Sequence, residues 1–282
     1  MSTLPKNRVT TSAMARVARK VYREKLRPRV HSGAIDLRSA TMAWRGNTPD
    51  FLIIGAQKAG TTALFDSLLR HPEVGRPFRK EVHFYDANSS GDLDVYRSHF
   101  WGSSDLIWGE ATPEYLDTPG VASRVRNDFP SVKLIVTLRC PVRRAISHYY
   151  HAQDFLLESR PLERALDVAS KDVAHAPLSR AYLRRSNYAS SLQPWFENFP
   201  REQILVVIAE RPAEAESQAS EFLGLDPNRL AIHTGSGKSN VRKYPSPNPN
   251  LIDDVAAFLS PQSTDLKNLL GWASLPPEWL IE

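Results

Sequence analysis

The sequence predicts an α/β fold: a central parallel sheet flanked by helices, with a P-loop-like phosphate-binding turn after the first strand. Three observations predict it. Apolar runs at Phe51–Ile54, Val132–Leu138 and Ile204–Ile208 have the length and β-branched content of buried parallel strands. Stretches with helical spacing separate these runs, the alternation expected of βαβ units. The string GAQKAGTT, Gly55 to Thr62, follows the first run directly and sets a glycine-bounded turn at a helix N-terminus.

Residues 1–48 read as a basic arm. Within it Met14, Val17, Ala18, Val21 and Tyr22 recur at helical spacing among Arg16, Arg19, Lys20, Arg23 and Lys25. That pattern predicts a short amphipathic helix, packed on the body or touching an anionic membrane surface. The body, 49–282, opens with the strand at Phe51 and the turn at Gly55. A helix is expected over Thr61–Arg70, ended by His71-Pro72. A short strand is expected at Leu106–Gly109, a helix at Val121–Phe129, and the clearest strand at Val132–Leu138. Pro141 sets the start of a helix reaching Leu157. Ser186 or Asn187 can cap the next helix, through Phe199. After the strand at Ile204–Ile208, a helix over Ala213–Leu223 is closed by Gly224. Residues 234–250 read as a long loop. Two helices, about Leu251–Leu259 and Thr264–Trp272, complete the chain.

Of the 282 residues, 41% are hydrophobic and 24% charged, enough for one large core. The net charge of +5 is uneven: residues 1–46 carry 11 Lys/Arg against 2 Asp/Glu, and the rest 25 against 29. An anion site in the body must therefore be a local cluster, not a global field. Nucleic acid is not an expected partner, because the body is mildly acidic and lacks a nucleic-acid motif. Cys140 is the single cysteine, which excludes an intrachain disulfide and suits a cytoplasmic, reducing compartment. No apolar run has the length of a transmembrane helix, and the N-terminal basic residues lack the apolar core of a secretory signal.

In such sheets ligands sit beyond the carboxyl ends of the strands, so the residues after each apolar run matter most. GAQKAGTT nearly matches the nucleoside-triphosphate loop G-x-x-x-x-G-K-[ST], but Thr61 stands where that loop has lysine, and Lys58 lies inside the turn. Free amides and the helix dipole still make a phosphate cradle there. After the strongest strand comes LRCPVRRAISHYY. Its Arg139 occupies the place where a magnesium-dependent triphosphatase would want an acidic ligand. Ser147 follows eight residues later. The two basic places suggest a ligand with separated phosphates. His148 and His151 read as packing or surface residues.

These strings resemble the PAPS-dependent sulfotransferases (PAPS, 3′-phosphoadenosine 5′-phosphosulfate), closest in motif to the heparan-sulfate type. The resemblance runs from about residue 50 to the C-terminus. It implies that Lys58, Ala59, Gly60, Thr61 and Thr62 bind the 5′-phosphosulfate, and that Arg139 and Ser147 bind the 3′-phosphate. KEVHFYD, Lys80 to Asp86, resembles the segment carrying the family's catalytic base, which falls on Glu81. GEATPEY, Gly109 to Tyr115, resembles a segment near the acceptor cleft. GKSNVRKYP, Gly237 to Pro245, resembles the loop that closes over the nucleotide. Asn240 and Val241 depart from that loop's usual Lys-Gly, leaving Lys238 and Arg242 as its donor-binding residues. The acceptor implied is a small molecule or glycan, sulfated on a hydroxyl or amine, with no metal required. The lone cysteine and lack of an anchor suggest a bacterial-type cytoplasmic member.

The base is read from Glu81, with His83 as its rival. Extended backbone would point both to one side. Burial is expected to raise the Glu81 pKa toward neutrality; a surface Glu81 paired with Lys80 or Arg79 is the other reading. Trp195, Tyr115, Tyr149 and Tyr188 could stack on a sugar or belong to the core. A P-loop kinase or nucleoside triphosphatase is the rival function. It lacks its two discriminators here, the lysine after the second glycine and the acidic ligand at a strand end.

Overall fold

The computed structural model describes residues 46–86, 91–170, 175–229 and 244–280. Residues 1–45 of the basic arm, and 230–243 with Lys238 and Arg242, lie outside the described residues. Four strands form one sheet: β1 (Phe51–Gly55), β2 (Gly109–Ala111), β3 (Lys133–Leu138) and β4 (Ile204–Ile208), in the order β2-β1-β3-β4. Every pairing is parallel, with Phe51 opposite both Gly109 and Lys133, and Leu134 opposite Ile204.

The helices in chain order are α1 (Thr61–Leu68), α2 (Leu93–Arg97), α3 (Val121–Asp128), α4 (Pro141–Asp154), α5 (Leu162–Ala165), α6 (Tyr188–Asn198), α7 (Pro212–Leu223) and α8 (Pro249–Leu270). Alternation along the strands divides the core. Phe51, Ile53, Ile135 and Val207 face α1 and α7, meeting Leu64, Phe65, Ala219 and Leu223. Leu52, Ile54, Leu134 and Val136 face the other layer, meeting Val125, Ala145, Trp195, Val255 and Leu259 of α3, α4, α6 and α8. Strands buried on both faces must read as continuous apolar runs, which is how β1, β3 and β4 were legible.

Two expectations are corrected. The second strand is Gly109–Ala111, not Leu106–Gly109. Pairing with β1 selects it: a Cβ on Gly109 would stand 2.5 Å from the Phe51 carbonyl oxygen, so only glycine allows this close approach. Ile107 makes only an isolated bridge, to Val74. The last two helices are one, α8, running through Pro261. Its buried residues Val255, Leu259, Leu266 and Leu270 stay in phase on both sides of the proline. That continuous stripe holds the helix together across the missing amide. α4 also stops earlier than expected, with Leu156 in the left-handed region beyond it.

Candidate functional site

The carboxyl ends of β1 and β3 and the N-termini of α1 and α4 meet at one place. The turn Gly55–Gly60 is anchored at its base by the Ala56 amide, which donates to the Thr137 carbonyl (2.8 Å), and by the Thr137 hydroxyl, which donates to the Gly55 carbonyl (3.1 Å). Lys58 and Gly60 both have positive φ, 69° and 85°. Gly60 is the N-cap of α1, and no side chain caps that helix. The amides of its first turn therefore face the turn with the dipole's positive end, which suits an anion.

The turn rests on buried arginines. Arg144 of α4 is 0% exposed. It donates to the Ser186 hydroxyl (2.8 Å), to the carbonyls of Gln57 and Tyr182, and toward the His148 ring. None of these partners is a carboxylate. Arg185 donates to Gln57 Oε1 (2.7 Å) and pairs with Asp117 (2.7 Å). Gln57 Nε2 in turn donates to Glu114 Oε1 (2.8 Å). A buried guanidinium with no anion in contact is costly, and an anion on the turn would offset that cost. The residues present thus fit a ligand with phosphate groups.

Arg139, just past β3, donates to the Lys58 carbonyl (3.3 Å), so its guanidinium lies against the turn that carries Lys58. Ser147 is buried on α4, and its hydroxyl lies 3.2 Å from the Tyr244 hydroxyl. The Tyr244 ring stacks on Tyr150, centroids 4.5 Å apart and 6° from parallel. His148 is buried and packed edge-on against Tyr182. Burial first, and then the nearby Arg144 charge, push its imidazole pKa well below the usual value, so it is a neutral packing group.

A cluster of acids and bases adjoins the turn. Lys80 Nζ donates to Thr62 Oγ1 (2.6 Å) and to Glu81 Oε1 (3.1 Å). His83 Nε2 is 3.7 Å from Glu81 Oε2, and His83 Nδ1 is 2.7 Å from Asp86 Oδ2. Burial alone would raise the Glu81 pKa, as expected from the sequence. The His83 imidazole 3.7 Å away and the charge of Lys80 outweigh it and hold the carboxyl down at about 2. Burial likewise opposes charge on His83, but the hydrogen bond to Asp86 and the Glu81 carboxylate win and raise it to about 10. A ring nitrogen of His83 and one oxygen each of Asp86 and Glu114 lie within 4.8 Å of one another. The trio sets one imidazole beside two carboxylates, a donor set that can share a proton and that also has the chemistry to hold a cation.

Glu81 and His83 do meet, but not through an extended strand. His83 has φ 59°, and a turn over 84–86 follows, so local backbone reversal brings the two side chains together. Glu81 is also paired with Lys80, as the surface reading supposed, although it is half-buried and faces the turn. Trp195, Tyr115, Tyr149 and Tyr188 are core residues, closed to a stacking sugar. Asn187, not Ser186, caps α6 through its side chain. Sequence reasoning missed Lys80, Glu110, Glu114, Arg144 and Arg185. Only Glu110 and Glu114 carried a signal, as acids beside an apolar run.

Comparison with known proteins follows the same map. A family model described as a sulfotransferase domain matches residues 48–246. Human heparan sulfate glucosamine 3-O-sulfotransferase 6 is 34% identical over 200 residues, covering 68% of this chain and 57% of that protein. The bifunctional heparan sulfate N-deacetylase/N-sulfotransferase 1 of Caenorhabditis briggsae is 29% identical over 271 residues, covering 83% of this chain and 31% of that protein. The chain thus spans about half or less of the length of these curated relatives. The crystal structure of a sulfotransferase from Alicyclobacillus acidocaldarius superposes with a TM-score of 0.71 at 26% identity, covering 83% of this chain and 99% of the other.

Proposed function

The chain belongs to the sulfotransferase domain family, and from that premise we propose that it moves a sulfuryl group from PAPS to a hydroxyl or amine of a carbohydrate or glycolipid. One observation carries the reading. The Lys80 ammonium bridges Thr62 of the anion turn and Glu81 of the acid–base cluster. A single side chain thereby joins the place for a phosphate-bearing donor to the place for proton transfer. The names of the relatives, which act on heparan sulfate, support a glycan acceptor.

When bound, the donor supplies the sulfuryl group and a phosphate that departs with the bonding electron pair. Lys58 and the first-turn amides of α1 hold its 5′ side and meet the charge that grows on the departing oxygen. Arg139 and Ser147 hold the 3′-phosphate, and Arg144 adds positive potential beneath the turn. Tyr244 gives up its contact with Ser147 as that hydroxyl turns to the phosphate. Glu81 orients the acceptor and takes its proton as the new bond to sulfur forms. At a pKa of about 2 the carboxylate is a weak base. Lys80, drawn to the donor's charge beside Thr62, relieves part of that depression, while the His83 part stays. His83, protonated and held by Asp86, fixes the other Glu81 oxygen. No step in this scheme needs a metal.

The rival kinase reading is disfavoured, since Arg139 stands where an acidic metal ligand belongs. A buried single cysteine, Cys140, suits the cytoplasm, and the basic arm suits peripheral contact with an anionic membrane; both are proposals. The test is transfer of labelled sulfuryl from PAPS to heparan sulfate stripped of its sulfates, with ATP and magnesium as the control donor. Label in the glycan supports the reading. Phosphorylation from ATP with no transfer from PAPS would overturn it.

A further inference from the structure

At the centre of β2, Glu110 is 0% exposed, and both of its carboxylate oxygens are filled. Oε1 accepts from the hydroxyls of Tyr96 (2.9 Å) and Tyr115 (2.8 Å). Oε2 accepts from the Thr112 hydroxyl (2.5 Å) and from the backbone amide of Val82 (2.9 Å). Two of those hydroxyls pass the linkage on. Thr112 Oγ1 accepts from the His83 amide (3.3 Å), and Tyr115 Oη accepts from the Phe84 amide (3.0 Å). Three consecutive amides, 82 to 84, are therefore hung on one carboxylate, directly or through one hydroxyl. Just before them the Lys80 carbonyl accepts from the Ala111 amide (3.1 Å).

Residues 80–83 have no regular secondary structure, and His83 is in a left-handed conformation that a non-glycine residue adopts only at an energetic cost. Something must over-determine that backbone, and no helix or sheet ladder does. A buried carboxylate facing a core of tyrosines is also expensive, and among the described residues no cation pairs with it. An apolar residue in β2 would fit the sheet at lower cost. The four bonds satisfy Glu110, but they do so by ordering the segment that carries Glu81 and His83.

We propose that Glu110 is a positioning residue of the sulfuryl-transfer site: its carboxylate sets the backbone of residues 82–84 and so places Glu81 and His83. The proposal rests on reading Glu81 as the base. A gap of about 1 Å at a reacting group can cost on the order of 10²-fold in rate, so the placement has a measurable consequence. Tyr115 and Thr112 act in the same device as relays.

Hydrogen exchange and kinetics test it together on the full chain. Glu110→Ala should speed exchange of the peptide covering 80–86 while β1 and β3 stay protected. It should lower kcat for transfer from PAPS to desulfated heparan sulfate by about 10²-fold and leave affinity for adenosine 3′,5′-bisphosphate unchanged. Glu110→Gln should restore most of the rate. Its amide oxygen can keep Val82 and Thr112, and its NH2 can donate to the tyrosine hydroxyls. Tyr115→Phe, milder and safer to fold, should show the same local effects in smaller measure. In a Glu81→Gln background Glu110→Ala should cost little more. Equal loss in both backgrounds, or unchanged exchange at 80–86 in Glu110→Ala or Tyr115→Phe, would overturn the proposal. No transfer by the unaltered protein would refute the functional reading instead, while the exchange result would still decide whether Glu110 sets the segment.

Discussion

At Glu81 burial and pairing pull in opposite directions, and pairing wins in the resting protein. We predict that Glu81→Gln keeps donor affinity and loses about 10²–10⁴-fold in turnover, whereas His83→Gln loses less; a silent Glu81→Gln beside a crippled His83→Gln would make His83 the base. The pKa shifts also fix signs. His83 is raised to about 10, so its contribution to stability is full below about 6.5 and is lost as pH rises through about 10. Glu81 is lowered to about 2, so its contribution is present above about 4.3 and is lost as pH falls through about 2. Asp86→Asn removes the strongest support of the imidazolium and should bring the His83 midpoint down by more than one unit in an NMR titration. An unmoved midpoint would show that Asp86 does not hold the charge. Lys58, Arg139, Ser147 and Glu81 stood out as candidates because each lies in a short string with fixed spacing. Lys80's bridge to Thr62 and Arg185's bond to Gln57, 128 residues away, did not, because only the folded chain brings those partners together.

At the scale of elements, two features defied the local pattern. β2 contains Glu110, and a strand search keyed to apolar residues slides off it toward Leu106–Trp108. Tertiary pairing with β1 decides otherwise. We predict that Gly109→Ala destabilises the protein by about 1–3 kcal/mol, since the new methyl would meet the Phe51 carbonyl at 2.5 Å. A melting temperature equal to the unaltered protein's would contradict this register. α8 runs through Pro261, where local rules end a helix. Its exposed proline forfeits one hydrogen bond, while the buried stripe from Val255 to Leu270 keeps the helix whole. Pro261→Ala should raise the melting temperature by a few degrees, as the regained helical bond outweighs the freer unfolded chain. A lowered melting temperature would mean that the proline fits a bend the core needs.

For the whole molecule, the order β2-β1-β3-β4 puts β1 and β3 side by side. Their carboxyl ends therefore open onto one site: the turn after β1 and Arg139 after β3 touch through the Lys58 carbonyl. β2, on the outer side of β1, sets Glu110 behind the base segment. Parallel topology thus brings separate strings to one place, and it is why the fold class could be read before the geometry. The acid–base linkage and the arginine shelf depend on three-dimensional contacts and could not. The family match begins at residue 48, so deleting residues 1–40 should leave a cooperative thermal transition and an intact donor site; a lost transition would show that the arm completes the core. We propose that the turn after β1 and Arg139 after β3 bind two separated phosphates without a metal. Calorimetry with adenosine 3′,5′-bisphosphate and AMP, in the presence of a chelator, tests it most directly. The bisphosphate should bind more tightly, and Arg139→Ala should remove most of that advantage. Equal or weaker binding of the bisphosphate than of AMP would contradict it.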